Sequence, residues 1–188
     1  MLIGLTGRIA AGKGEVAKYF KEKGFICTSL SFAVREEANK ECIDISTEEG
    51  RKKLQDLGNL LREKEGAGIW VKRIKNTLQN SENYIIEGIR NPAEIEELKK
   101  GNDFYLISVD APQKERYPRF LKRAKPSDPK TWEGFLKMDE RDFGEEDHLG
   151  QQVGKCMEMA DFHLVNDSTI EDFNRKVEKV YDLIKERC

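Results

Sequence analysis

Seven residues near the N-terminus have the types and spacing needed to hold a chain of phosphates. Gly7-Arg8-Ile9-Ala10-Ala11-Gly12-Lys13 sets two glycines either side of a four-residue gap, with a lysine directly after the second. Glycines so placed let successive backbone N–H groups curl around a polyphosphate, and the lysine reaches its β- and γ-phosphates. The apolar run "LIGLT" before the loop predicts a strand. "GKGEVAKYFKEKG" after it predicts a helix, with Val16, Ala17 and Phe20 on one face. That helix would turn its positive N-terminal end toward the same anion. Gly7, Arg8, Ala10, Ala11, Gly12, Lys13, Gly14 and Glu15 are therefore the candidate nucleotide-binding residues, for ATP with Mg2+. One position departs from the pattern. A Ser or Thr after the lysine would offer its hydroxyl to magnesium, and Gly14 stands there, followed by a first-turn acid, Glu15.

Further along the chain, arginines recur where a second, anionic ligand would need them, because guanidinium groups grip phosphate bidentately. Arg119 and Arg123 lie one helical turn apart in "QKERYPRFLKRA". A break rich in proline and polar residues follows, then Arg141. Arg116 carries no such assignment. In "YIIEGIRNPAE", Glu87 ends a buried-strand pattern, where a lone carboxylate is costly. The loop lysine or a magnesium-bound water would account for it. Gly88 lets the backbone pass close to a ligand, and Arg90 follows. Gln55, Asn59 and Arg62 share one face of a predicted helix, which core packing by Leu54, Leu57 and Leu61 would also explain.

These stretches resemble known enzymes. "G-x-x-x-A-G-K-G" is similar to the loop of adenylate kinases and other nucleoside monophosphate kinases, where glycine after the lysine is usual, although Glu15 stands where threonine is common. "IGLTGRIAAGK" with "VAKYF" resembles the start of dephospho-CoA kinases, relatives sharing one fold. The resemblance implies that Ser29, Ser31 and Arg35, in "TSLSFAVREEA", lie at the acceptor's phosphate. It implies the same of Gly88 and Arg90, and acceptor contacts for Asn59 and Arg62. It implies that Arg119, Arg123 and Arg141 close as a lid on the transferring phosphoryl group, with Lys13 and Glu87 completing the catalytic set and Glu87 organising Mg2+ through water. "ADFHLVNDSTIEDF" resembles the dephospho-CoA kinase segment whose loop touches the nucleobase, which places Asn166 and Asp167 there. Those two residues would equally serve as the N-cap of the last helix.

Strands and helices alternate along the chain. "FICTSL", "NYIIEG", "DFYLISVDAP" and "DFHLVN" read as strands, mostly as continuous apolar runs, the mark of parallel strands buried on both faces. The segments between them read as helices. A capping box is expected at Ser46 and Glu49, and Ile69, Val71, Ile74 and Leu78 are expected inward. The closing helix would bury Ile170, Phe173, Val177, Val180 and Ile184, and His163 is expected to pack mid-strand. The fold expected is α/β: a three-layer P-loop kinase fold with a parallel sheet of about five strands and helices on both faces. Residues 1–188 would form one domain, with acceptor-binding helices over 31–80 and a lid over about 119–141.

Composition narrows the classes. Thirty-three Lys and Arg nearly balance 35 Asp and Glu, for a net charge of -2, which argues against an electrostatic nucleic-acid binder. The four cysteines, at 27, 42, 156 and 188, form no CxxC pair, and the two histidines, His148 and His163, complete no zinc pattern. Reduced thiols in a cytoplasmic protein are expected, with no signal peptide and no membrane span. The expected activity is ATP-dependent phosphorylation of a phosphate-bearing small molecule, a nucleoside or deoxynucleoside monophosphate. Dephospho-CoA kinase is the alternative. Against it, that family usually has Ser after the loop lysine and an acid soon after the second strand, and a hydroxyl acceptor would want such a base. A further alternative is a non-catalytic or regulatory nucleotide-binding protein.

Overall fold

The computed structural model describes residues 1–79, 82–100, 103–123, 128–144 and 149–187, apart from the side chains at 48, 51 and 55. The side chain of Gln55, and His148 and Cys188, fall outside the described residues. Five parallel strands form one sheet in the order β2-β3-β1-β4-β5, with β1 Leu2–Gly7, β2 Ile26–Ser29, β3 Tyr84–Glu87, β4 Phe104–Asp110 and β5 Phe162–Val165. The central β1 is buried at every residue, as its unbroken apolar run requires.

Alternate residues of the strands feed two cores. Ile3, Leu5, Ile85, Ile107 and Val109 meet α1 (Lys13–Glu22) and α9 (Ile170–Glu186) through Val16, Phe20, Phe173 and Val177. Leu2, Tyr84, Ile86, Phe104 and Leu106 face the other way. They meet α2 (Leu30–Lys40), α4 (Ile69–Lys75), α5 (Pro92–Lys99) and α8 (Val153–Glu158) through Leu30, Trp70, Ile95 and Cys156. Helix α3 (Glu48–Glu65) packs outside this layer through Leu61. A third, smaller core of Ile9, Phe120 and Phe135 joins the loop after β1 to α6 (Gln113–Lys122) and α7 (Trp132–Phe143). This is the three-layer architecture the sequence predicts.

Four local expectations are corrected. Helix α3 is capped by Thr47, whose Oγ1 accepts from Gly50 N at 2.9 Å, while Ser46 bonds to Asp44. Thr47 is the last extended residue, so its hydroxyl is the one within reach. The capping box forms at α5 instead, between Asn91 and Glu94. The outer strands do not behave as continuous buried runs: β5 alternates, with Phe162 and Leu164 buried and His163 exposed, and β2 leaves Ile26 exposed. Both are edge strands. His163 Nδ1 lies 2.8 Å from Ser108 Oγ rather than in the core. Ile170, the first residue of α9, is 45% exposed, because it leads into the helix above the cleft described next.

Candidate functional site

Beyond the C-terminal ends of β1 and β3 the chain encloses a cleft of about 1080 Å³. Its floor is the loop from Gly7 to Lys13. Gly7 has φ +131°, and a Cβ there would fall 2.0 Å from Val109 O; Gly12 has φ +114°, and a Cβ there would fall 2.5 Å from Asn166 Nδ2. Both therefore have to be glycine, for conformation and for space. Gly14 is different. It has no atom within 4 Å of a Cβ, so packing does not explain the absence of a hydroxyl there.

Lys13 opens α1 and folds back over the loop, its Nζ donating to Gly7 O and Arg8 O at 2.7 Å each. Burial, together with the charges of Arg90 and Arg123, pushes its ammonium down to about 8, against the opposing pull of Asp142 and Glu87. Asn166, at the end of β5, braces the loop from beneath. Its Nδ2 donates to Ala11 O at 3.0 Å, and the residue is only 5% exposed.

A second part of the cleft is built on β2, α2 and the turn after β3. Ser29 caps α2, its Oγ accepting from Ser31 N at 3.2 Å. Gly88 has φ +84°, and its Cβ position lies 3.2 to 3.3 Å from the hydroxyls of Ser31 and Ser29, so this turn passes close against the α2 N-terminus. Thr28, Ser29, Ser31, Phe32, Arg35, Glu87, Gly88 and Arg90 all line the cleft. Phe32 is 59% exposed and sits one turn from Arg35 on the same helix. Among the described residues, the guanidiniums of Arg35 and Arg90 have neither a hydrogen bond nor an ion pair.

From the far side, Arg119 and Arg123 of the α6 region reach the same cleft. Arg119 pairs with Glu115 and donates to Asn166 O at 3.4 Å; Arg123 pairs with Asp128 at 2.7 Å and lies over the Phe120 ring. Among the described residues the lining carries five cations, Lys13, Arg35, Arg90, Arg119 and Arg123, against three carboxylates, Glu15, Glu87 and Asp142. A chain of net charge -2 concentrates positive charge where a polyphosphate would lie.

Five sequence candidates are placed elsewhere. Arg62 donates to Glu94 and to Asn59, at 3.1 Å each, so both candidates on α3 brace a buried carboxylate instead of facing the cleft. Glu94 is 1% exposed and also receives the backbone N–H groups of Arg90 and Asn91, so it needs a cation beside it. Asp167 pairs with Lys176 on the surface at 2.7 Å. Asn166 does line the cleft, but its amide is engaged by the loop; Ser168 and Ile170 supply the neighbouring wall. Arg8 turns away from the loop to Asp139 and the Phe143 ring. Arg141 does not line the cleft among the described residues, since the phase of α7 puts Asp142 there. Asp142, Phe32 and Asp139 were not foreseen. The spacing from Phe32 to Arg35 and from Asp139 to Asp142, three residues each, was the available signal.

The site fits a nucleotide on its own geometry: two glycines whose Cβ atoms could not be accommodated, a lysine in reach, and a helix N-terminus. Its fit to magnesium is looser. Among the described residues no group of three His, Cys, Asp or Glu could hold a metal ion, and Gly14 offers no hydroxyl. Glu87 lines the cleft.

Comparison with known proteins agrees with this architecture. A family model described as an AAA domain matches residues 3–143. A UPF0200 protein of Pyrococcus abyssi is 36% identical over 187 residues, covering 96% of this chain and 95% of that one. Among solved structures, a shikimate kinase from Bacteroides thetaiotaomicron superposes with a TM-score of 0.62 at 14% identity, over 98% of both chains. A dephospho-CoA kinase from Campylobacter jejuni does so with a TM-score of 0.51 at 16% identity, over 97% of this chain and 96% of that one. The chain belongs to the UPF0200 family and to the family described as an AAA domain, and its fold is that of the P-loop kinases.

Proposed function

We propose that this protein transfers the γ-phosphoryl group of ATP to a small molecule that already bears a phosphate, a nucleoside or deoxynucleoside monophosphate. One observation carries the reading: a single cleft holds two cationic sets, one on the phosphate-binding loop and the α6 region and one on α2 and the turn after β3. Lys13, Arg119 and Arg123 form the donor set, and Arg35 and Arg90, without partners among the described residues, form the other. Isolated guanidiniums facing a cleft are poised for an anion that completes them. The cleft, at about 1080 Å³, lies near the upper end of the usual range of roughly 300–1,000 Å³ for a ligand pocket.

Phosphoryl transfer proceeds through a loose transition state, so the protein's work is positioning and charge stabilisation. Lys13 exchanges its two loop carbonyls for phosphate oxygens. Arg119 and Arg123 lie over the group in transit, and the loop amides hold the phosphates behind it. Arg35 and Arg90 fix the acceptor's phosphate, with Phe32 beside them as a surface on which a planar base can stack. Magnesium, when bound, neutralises phosphate charge, and Glu87 would hold its water. A phosphate acceptor needs no strong general base, which suits the hydroxyl-lined turn of Thr28, Ser29 and Ser31.

The split between donor and acceptor sets is the test. Arg35→Met and Arg90→Met should each raise KM for the acceptor at least about tenfold, the loss of one charge-assisted contact, while the Kd for ATP stays within about twofold. Equal loss of ATP affinity in either variant would contradict the division of the cleft.

A further inference from the structure

Arg116 and Asp139, outside the residues that line the cleft, form a buried junction with the phosphate-binding loop. Asp139, on α7, is 1% exposed; Arg116, on α6, is 3% exposed. Arg116 Nη1 donates to Asp139 Oδ1 at 2.7 Å and Nη2 to Oδ2 at 2.8 Å, a two-point fork. The same guanidinium donates from Nε to Ala111 O at 2.9 Å, at the end of β4, and from Nη1 to Ile9 O at 3.1 Å, in the middle of the loop. Arg8, also in the loop, donates Nη1 to Asp139 Oδ2 at 3.0 Å and lays its guanidinium 3.5 Å from the centre of the Phe143 ring.

One carboxylate therefore receives two arginines from two different elements, and one of those arginines also holds the loop backbone. Around them the small core of Ile9, Phe120 and Phe135, with Tyr117 and Trp132, joins the same three elements. The arrangement has an evident consequence for the cleft. Arg116 stands one turn before Arg119 on α6, and Asp139 one turn before Asp142 on α7. Fixing Arg116 and Asp139 to the loop fixes how far Arg119 and Asp142 stand from Lys13.

We propose that Asp139 and Arg116 are positioning residues: with Arg8 they clamp the phosphate-binding loop to the helices that carry Arg119, Arg123 and Asp142, so that the donor set is assembled before nucleotide arrives. The proposal rests on the phosphotransferase reading for its purpose, but its test does not need turnover. Preorganised groups lose no binding energy to reordering, so loosening the clamp should weaken nucleotide binding.

The experiment is a double-mutant cycle on ATP affinity with Asp139→Asn, Arg8→Met and both together, alongside hydrogen exchange of the loop amides. The clamp predicts a Kd for ATP raised about tenfold in Asp139→Asn, from lost preorganisation of the loop and the donor set. It predicts a smaller rise in Arg8→Met, and a double variant no weaker than Asp139→Asn alone, because both act through one carboxylate. Amides of residues 8–13 should exchange faster in both single variants while those of β1 and β4 stay protected. Affinities that multiply independently, or loop exchange unchanged from wild type, would overturn the clamp. Arg8 is partly exposed, so its variant decides the matter if Asp139→Asn fails to fold. A wild-type protein that binds ATP without phosphorylating any acceptor would count against the functional reading and leave the cycle readable. One that does not bind ATP would leave loop exchange to decide for or against the clamp.

Discussion

Nucleotide affinity should fall as pH rises through the range where Lys13 loses its proton. In the free protein, burial and the neighbouring arginines bring this ammonium from 10.5 to about 8. Phosphate oxygens stabilise the charged form, so bound nucleotide raises the value again. If only the ammonium form binds, the Kd for ATP rises roughly eightfold from pH 7.5 to pH 9, following the fraction of free protein still protonated. The sign is fixed by linkage: the free protein resists the proton, so binding takes it up, about half a proton per nucleotide at pH 8. The window lies above the last phosphate ionisation, near pH 6, so the ligand's own charge is constant across it. Titration calorimetry in two buffers of different ionisation enthalpy gives both the affinity and the proton count. Lys13→Arg keeps its charge throughout and should remove the pH slope whatever its absolute affinity. A wild-type Kd flat from pH 7.5 to 9, or the same slope in Lys13→Arg, would refute the reasoning.

Three further outcomes follow from single residues. Gly14→Ser meets open space, so thermal unfolding should show stability unchanged or raised by up to about 0.5 kcal/mol from helix propensity, and magnesium should then tighten ATP binding more than in the wild type. Asn166→Ala leaves Ala11 O without its donor and should cost about 1–3 kcal/mol in denaturant unfolding, with weaker ATP binding. Phe32→Ala removes the aromatic wall of the acceptor half; KM for a nucleoside monophosphate should rise about tenfold, matching a stacking contribution of about 1–3 kcal/mol, while the Kd for ATP is unchanged.

Much of the fold was legible because apolar periodicity reports burial directly. "LIGLT" and "YII" are buried on both faces, and they became the central strands. The edges were less legible, because a short apolar run does not say whether a helix will cover both its faces; His163 and Ile26 show the result. In the candidate site, spacing foretold which residues line the cleft where one local conformation dictates them. Gly7, Gly12 and Lys13 form such a set, as do Gly88 and Arg90 just after a strand. It failed where an arginine's role depends on a carboxylate far along the chain. Arg62 and Arg119 look alike in sequence, yet Glu94 draws one to a buried pair and the cleft receives the other. Arg8 sits inside the loop motif but answers to Asp139, more than a hundred residues later.

The central claim is that this cleft moves a phosphoryl group from ATP to a bound nucleoside or deoxynucleoside monophosphate. The most direct measurement offers the purified protein ATP and magnesium with each nucleoside and deoxynucleoside monophosphate in turn, and with dephospho-CoA, while following ADP and the phosphorylated acceptor together. The account predicts equal amounts of ADP and a nucleoside diphosphate with one class of monophosphate, and no product from Lys13→Ala. ATP bound but never turned over on any monophosphate, or transfer to dephospho-CoA alone, would contradict it.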